Sequence, residues 1–108
     1  MRTPLERAVR TPLERTVKER VKRILTGAGA YWFMPVQSGY GAKTLDFLGC
    51  HDGRFFAIET KREGKTPDAI QELVAHKIAG AGGRVFVIAG TNSPVLDELK
   101  AWLGGLDT

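Results

Sequence analysis

Asp52-Gly53 lies between two apolar runs rich in β-forming residues, Thr44 to His51 and Arg54 to Lys61. An Asp-Gly pair in that setting predicts a two-residue type I′ hairpin turn, because both central residues of that turn take positive φ. The turn then sets the register of everything outside it. With Asp52 and Gly53 as the loop, His51 pairs with Arg54, and stepping outwards along the ladder brings Asp46 directly opposite Glu59. Their Cβ atoms are expected roughly 4.5–5.5 Å apart. Side chains alternate along a strand, so Glu59 and Lys61 share a face with Asp46, while Ile58 and Thr60 point the other way.

Carboxylates placed opposite each other repel, and such a pair destabilises a sheet unless something compensates for it. A divalent cation compensates. Oxygen ligands converging from neighbouring strands suit Mg²⁺ or Mn²⁺, hard ions that take a few carboxylates and fill their remaining positions with water and substrate phosphate oxygens. Lys61, beside such a site, is placed to orient or help deprotonate an attacking water and to offset charge in the transition state. The same residues admit a plainer reading, in which Lys61 pairs with one carboxylate on a solvated sheet face, an interaction worth little.

Asp46, followed by Glu59-Thr60-Lys61 at the end of the next apolar strand, resembles the signature of the PD-(D/E)xK nuclease superfamily. The stretch from Gly53 to Gln71 and the later Gly80-Ala81-Gly82-Gly83 are similar, more narrowly, to the VRR-Nuc family, the virus-type replication and repair nucleases. The likeness covers nearly the whole chain and is strongest from Gly39 to Ile88, with Leu45 where the signature often has proline. It implies a PD-(D/E)xK nuclease core and a divalent-metal-dependent endodeoxyribonuclease. Asp46 and Glu59 would hold Mg²⁺ or Mn²⁺, with the Thr60 carbonyl and Glu14 as further ligands. Lys61 would position or activate the water, and Gln71 would sit near Lys61, holding a phosphate or a water. Stand-alone members of this size look like phage enzymes that act on branched DNA such as Holliday junctions, as two-fold homodimers. Branched or duplex DNA is then the expected partner, and the cytoplasm, of the host cell if phage-encoded, the expected location. Two rivals stay open: a less selective nicking or single-strand nuclease, and a DNA-binding module that keeps the fold without catalysis.

At 108 residues the chain has enough core for one sheet and two or three helices, hence one domain. That domain is expected over residues 12–108, behind a basic N-terminal extension of residues 1–11. No apolar run of about 18 residues is present to span a membrane, and the basic N-terminal stretch lacks the apolar centre of a secretory signal. The single cysteine, Cys50, makes no internal disulfide. Cys50 and His51 have no second Cys/His pair at zinc-finger spacing, so both read as structural.

Residues 2 to 23 carry eight Lys and Arg against Glu6, Glu14 and Glu19, a local +5 in a chain of net +4. A basic segment of this kind suits a polyanion, with Arg15, Lys18 and Lys22 as candidate phosphate contacts; a solvated helix face is the alternative. The segment holds a short duplication, Arg2 to Val9 and Arg10 to Val17, identical except at Ala8 and Thr16. Each copy looks like a helix start: a Thr N-cap, Pro at the first helical position and Glu three residues after the cap. Pro12 would interrupt a helix begun at Pro4, so the main helix is predicted from Pro12 to about Thr26, stopped by Gly27 and Gly29, with Leu13, Val17, Val21 and Ile24 as its apolar stripe. Glu14 therefore has two readings, the capping residue of that helix and, by the resemblance, a carboxylate approaching the metal.

Tyr31 to Gln37 reads as a first strand, with Pro35 marking an edge or a bulge. The Ser-Gly-Tyr-Gly-Ala-Lys loop that follows offers Ser38, backbone N–H groups and Lys43 to a phosphate, or is an ordinary glycine turn. Thr66-Pro67 predicts a helix to about Ala79 that buries Ile70, Leu73, Val74 and Ile78. Gln71 and His76 on it are surface or packing residues in the absence of a site. Arg84 to Ala89, the most hydrophobic strand, is expected at the centre of the sheet. Asn92 or Ser93, with Pro94, opens a last helix through Leu103. The predicted order is α-β-β-β-α-β-α, an α/β domain whose mixed sheet is flanked by helices and antiparallel in its first three strands.

Overall fold

The Asp-Gly turn forms with the backbone its residues favour: Asp52 has φ 52° and Gly53 φ 75°. A computed structural model describes residues 13–37 and 43–104. In chain order the elements are α1 (Glu14–Gly27), β1 (Tyr31–Phe33), β2 (Phe47–His51), β3 (Arg54–Lys61), α2 (Ala69–Gly80), β4 (Arg84–Ala89) and α3 (Val95–Leu103). The β2–β3 ladder runs from His51↔Arg54 to Phe47↔Ile58, the register that the turn predicts. Asp46 follows one step beyond it, opposite Glu59.

The sheet order is β1-β2-β3-β4, antiparallel for the first three strands and parallel between β3 and β4. Over the described residues the fold is thus α/β with a mixed four-stranded sheet and three helices. β4 is not central, contrary to the expectation from its hydrophobicity; it lies at an edge. Its apolar run has another cause, because both of its faces are covered. Phe86 and Ile88 enter the core with Val17, Val21 and Leu25 of α1 and Leu96, Leu99 and Leu103 of α3. Val85 and Val87 line a groove with Ala75 and Ala79 of α2 on the opposite face.

Within the core, Phe47, Phe56 and Ile58 supply the β2 and β3 contribution. Trp102 stands edge-on to both Phe56 and Phe86. Gly49 is required where it is, since a Cβ there would collide with the Phe56 ring and the Tyr31 carbonyl across the ladder. The hairpin tip also closes the end of α3: the Arg54 guanidinium stacks 4.1 Å from the Trp102 ring and donates to the Trp102 carbonyl, and a His51 ring nitrogen lies 2.8 Å from the Leu103 carbonyl. These contacts satisfy carbonyls that a helix end leaves without intrahelical donors.

Two helix starts differ from expectation. α1 begins at Glu14 with Leu13 as its N-cap and no side-chain cap, so Glu14 occupies the first helical position rather than the third. Thr11 and Pro12, the predicted cap, lie outside the described residues. α2 begins two residues later than Thr66-Pro67 suggests, because Asp68 and Gln71 form a complete capping box. Gln71 N–H donates to Asp68 Oδ1 and Asp68 N–H donates to Gln71 Oε1, at 2.8 and 2.9 Å. The predicted buried face of α2 is also corrected. Ile70 and Leu73 are 51% and 55% exposed, no residue of α2 is fully buried, and its Ala75 and Ala79 line an open groove with Val85 and Val87 of β4.

Candidate active site

Asp46 sits at the bend just before β2, and Gln37 holds the approach to it. The Gln37 amide donates to the Thr44 and Leu45 carbonyls and its oxygen accepts from Thr44 N–H. Across the ladder, Asp46 N–H donates to Glu59 Oε1 at 3.2 Å. The Asp46 carboxylate is held from β3 as well: Oδ2 accepts from Thr60 N–H at 3.0 Å and from the Thr60 hydroxyl at 2.7 Å. Thr60 is fully buried on the core face, as strand alternation requires, and the Asp46 carboxylate, set at the bend outside the ladder, lies within reach of its hydroxyl.

Glu59 is 1% exposed. Its Oε2 lies 3.4 Å from Lys61 Nζ, an i,i+2 neighbour on the same face of β3. Burial, and then the charge of Asp46, push the Glu59 carboxyl up to about 7, while Lys61 and the Asp46 N–H pull the other way. A buried carboxylate with one lysine is incompletely compensated. The plainer reading, of a solvated ion pair on an open sheet face, does not survive this burial.

α1 brings a second pair of charges to the same place. Lys18 Nζ lies 3.3 Å from Glu14 Oε2 and 3.9 Å from Asp46 Oδ1. The ammonium thus stands between the two carboxylates, and Glu14 meets the site through Lys18. Among the described residues, no group of three or more His, Cys, Asp and Glu side chains converges on one point.

The other candidates fall in three places. Arg15 and Lys43 are exposed, and Lys22, one turn beyond Lys18 on α1, is half-buried and paired to Glu19 at 2.9 Å. Gln71 uses its Oε1 in the α2 capping box. Ser38 lies outside the described residues. Sequence reasoning missed Gln37, the Thr60 hydroxyl and the reach of Lys18 to Asp46. No local signal announces any of the three, because each acts between groups distant in the chain: Gln37 and Thr60 across a chain reversal, and Lys18 from α1.

The donors that a cation site on these residues would use are the Asp46 and Glu59 carboxylates and the Thr60 carbonyl. All are hard oxygens, the chemistry Mg²⁺ and Mn²⁺ take with water and phosphate completing the shell. No helix among the described residues is long and apolar enough to cross a membrane. No family model and no curated protein matches the chain.

Proposed function

We propose that this chain is a divalent-metal-dependent, structure-specific endodeoxyribonuclease of the VRR-Nuc kind, built on a PD-(D/E)xK core and acting on branched DNA such as Holliday junctions. The observation that carries this reading is the cross-strand pairing of Asp46 with a buried Glu59 whose partner is Lys61 at 3.4 Å. Three such groups in one partly enclosed spot have a chemical use in phosphodiester hydrolysis.

A bound Mg²⁺ or Mn²⁺ supplies Lewis-acid polarisation of the scissile phosphate and a water of lowered pKa. Asp46, Glu59 and the Thr60 carbonyl would hold it, and the two Thr60 donors aim the Asp46 carboxylate. Lys61 orients the water by hydrogen bonding and offsets negative charge as the water oxygen bonds to phosphorus and the phosphorus–oxygen ester bond breaks. Arg15, Lys22 and Lys43 meet backbone phosphates, which confers affinity without reading sequence. A domain of this size has little surface for base readout, so DNA shape is the feature discriminated.

A homodimer matches a near two-fold junction that needs two cuts. α1 is docked in its own core through Val17, Val21 and Leu25, which argues against its serving as an exchanged arm. A better surface is the sheet face away from α1 and α3, where Tyr31, Cys50 and Phe55 align across three strands beside Phe33, with Tyr31 68% exposed.

The test is cleavage of labelled four-way junction and matched linear duplex with Mg²⁺, Mn²⁺ or EDTA, by wild type and Lys61→Ala. Metal-dependent, symmetric cutting of the junction that the variant loses is the expected result. Equal cutting of all substrates would keep the active site and remove the junction specificity, and no cutting by wild type in either metal would leave a DNA-binding module.

A further inference from the structure

Of the two oxygens of Asp46, Oδ2 is occupied twice over by Thr60. Oδ1 is the oxygen left to face a ligand, and Lys18 Nζ stands 3.9 Å from it. This lysine is not a loose surface arm. Its neighbours Val17 and Val21 are fully buried, so the core sets where Lys18 leaves the helix, and Glu14 one turn earlier holds its ammonium at 3.3 Å. Its side chain is nevertheless 28% exposed, which leaves it a path outwards.

We propose that Lys18 is the resident cation of this site: it compensates Asp46 in the DNA-free protein, yields Oδ1 to an arriving divalent ion, and transfers its ammonium to the phosphodiester bound there. The inference rests on Asp46 and Glu59 being metal ligands. Two cations cannot share one carboxylate oxygen without repulsion, so Lys18 weakens ion binding while DNA is absent. By linkage, a phosphate that engages Lys18 removes the competitor and tightens ion binding, and the ion in turn tightens DNA. Metal and substrate then arrive cooperatively, and the unoccupied protein keeps Asp46 paired with a cation.

The experiment measures Mn²⁺ affinity by paramagnetic resonance of the unbound ion, with wild type, Lys18→Met, Lys18→Arg and Asp46→Asn, without DNA and with a linear duplex. Lys18→Met is expected to bind Mn²⁺ at least about fivefold more tightly than wild type without DNA, the lower end of typical coupling between sites. The duplex is expected to raise Mn²⁺ affinity in wild type and leave Lys18→Met unchanged. Lys18→Arg, which keeps the charge, should behave as wild type. Equal or weaker Mn²⁺ binding by Lys18→Met overturns the proposal, since Lys18 would then be a support for Asp46. If Mn²⁺ binding is absent from wild type or survives Asp46→Asn, the metal-site reading itself fails and takes this inference with it. If it is lost in Asp46→Asn while Lys18→Met matches wild type, the role of Lys18 alone is removed.

Discussion

The Thr60 hydroxyl, on the core face of β3, donates at 2.7 Å to Oδ2 of Asp46, which sits just before β2. Because the Thr60 N–H donates to the same oxygen, one residue determines which oxygen of the carboxylate faces outwards.

Thr60→Val keeps the shape and the strand preference and removes the hydroxyl. A hydrogen bond to a charged group contributes about 1.5–3 kcal/mol, so chemical denaturation should report a loss in that range. Mn²⁺ affinity should fall with it, and Thr60→Ser should restore both. If Thr60→Val binds Mn²⁺ as well as wild type does, the hydroxyl has no part in aiming Asp46.

Glu59 makes stability depend on pH in a defined direction. Its carboxyl is raised from 4.5 to about 7, so the folded state holds a proton that the unfolded chain has released. Its contribution is fully present below about pH 4.5 and is lost as pH rises through 7, on the order of 3 kcal/mol over that interval. Urea unfolding in EDTA across pH 5 to 8 should therefore show wild type losing stability relative to Glu59→Gln as the pH rises. Parallel curves for the two proteins would mean that Glu59 titrates normally. Because a divalent ion needs the carboxylate, its affinity should rise over the same window.

Gln71 is tied into the α2 capping box, which separates its structural role from any catalytic one. Gln71→Ala removes the bond from Asp68 N–H and leaves the Asp68 cap in place, so it should cost about 0.5–1.5 kcal/mol. Gln71→Glu preserves a capping acceptor at that position. If Gln71 also holds a phosphate or a water at Lys61, Gln71→Glu will keep stability and lose cleavage; unchanged cleavage would leave only the cap.

The open sheet face gives the proposed homodimer a location. Charged side chains at Tyr31→Glu and Phe55→Glu sit on exposed positions, where they cost the monomer little, and should convert a dimer to a monomer by sedimentation at micromolar concentration. A wild type that is monomeric with DNA present would remove the dimer from the proposal.

The hairpin was legible in the chain because its information is local. Asp52-Gly53 sets the turn, the turn sets the register, and alternation assigns faces, so the Asp46–Glu59 pairing follows by stepping out along one hairpin. The stops of α1 and the limits of β4 were readable for the same reason. Helix starts were less so, since Asp68-Gln71 and Thr66-Pro67 offer α2 competing caps within three residues and only the folded chain selects between them.

By itself, then, the sequence determined the element order, the register and the set of charges near the hairpin, all of which rest on short-range sterics and periodicity. Tertiary structure decided the rest. It placed β4 at an edge rather than at the centre and turned α2 so that Ile70 and Leu73 face outwards, because packing depends on what covers each face and not on how hydrophobic a strand or helix is. It also buried Glu59, brought Lys18 from α1 to Asp46 and let Thr60 grip the same carboxylate. Burial and through-space charge are properties of groups far apart in the chain, and no local pattern encodes them.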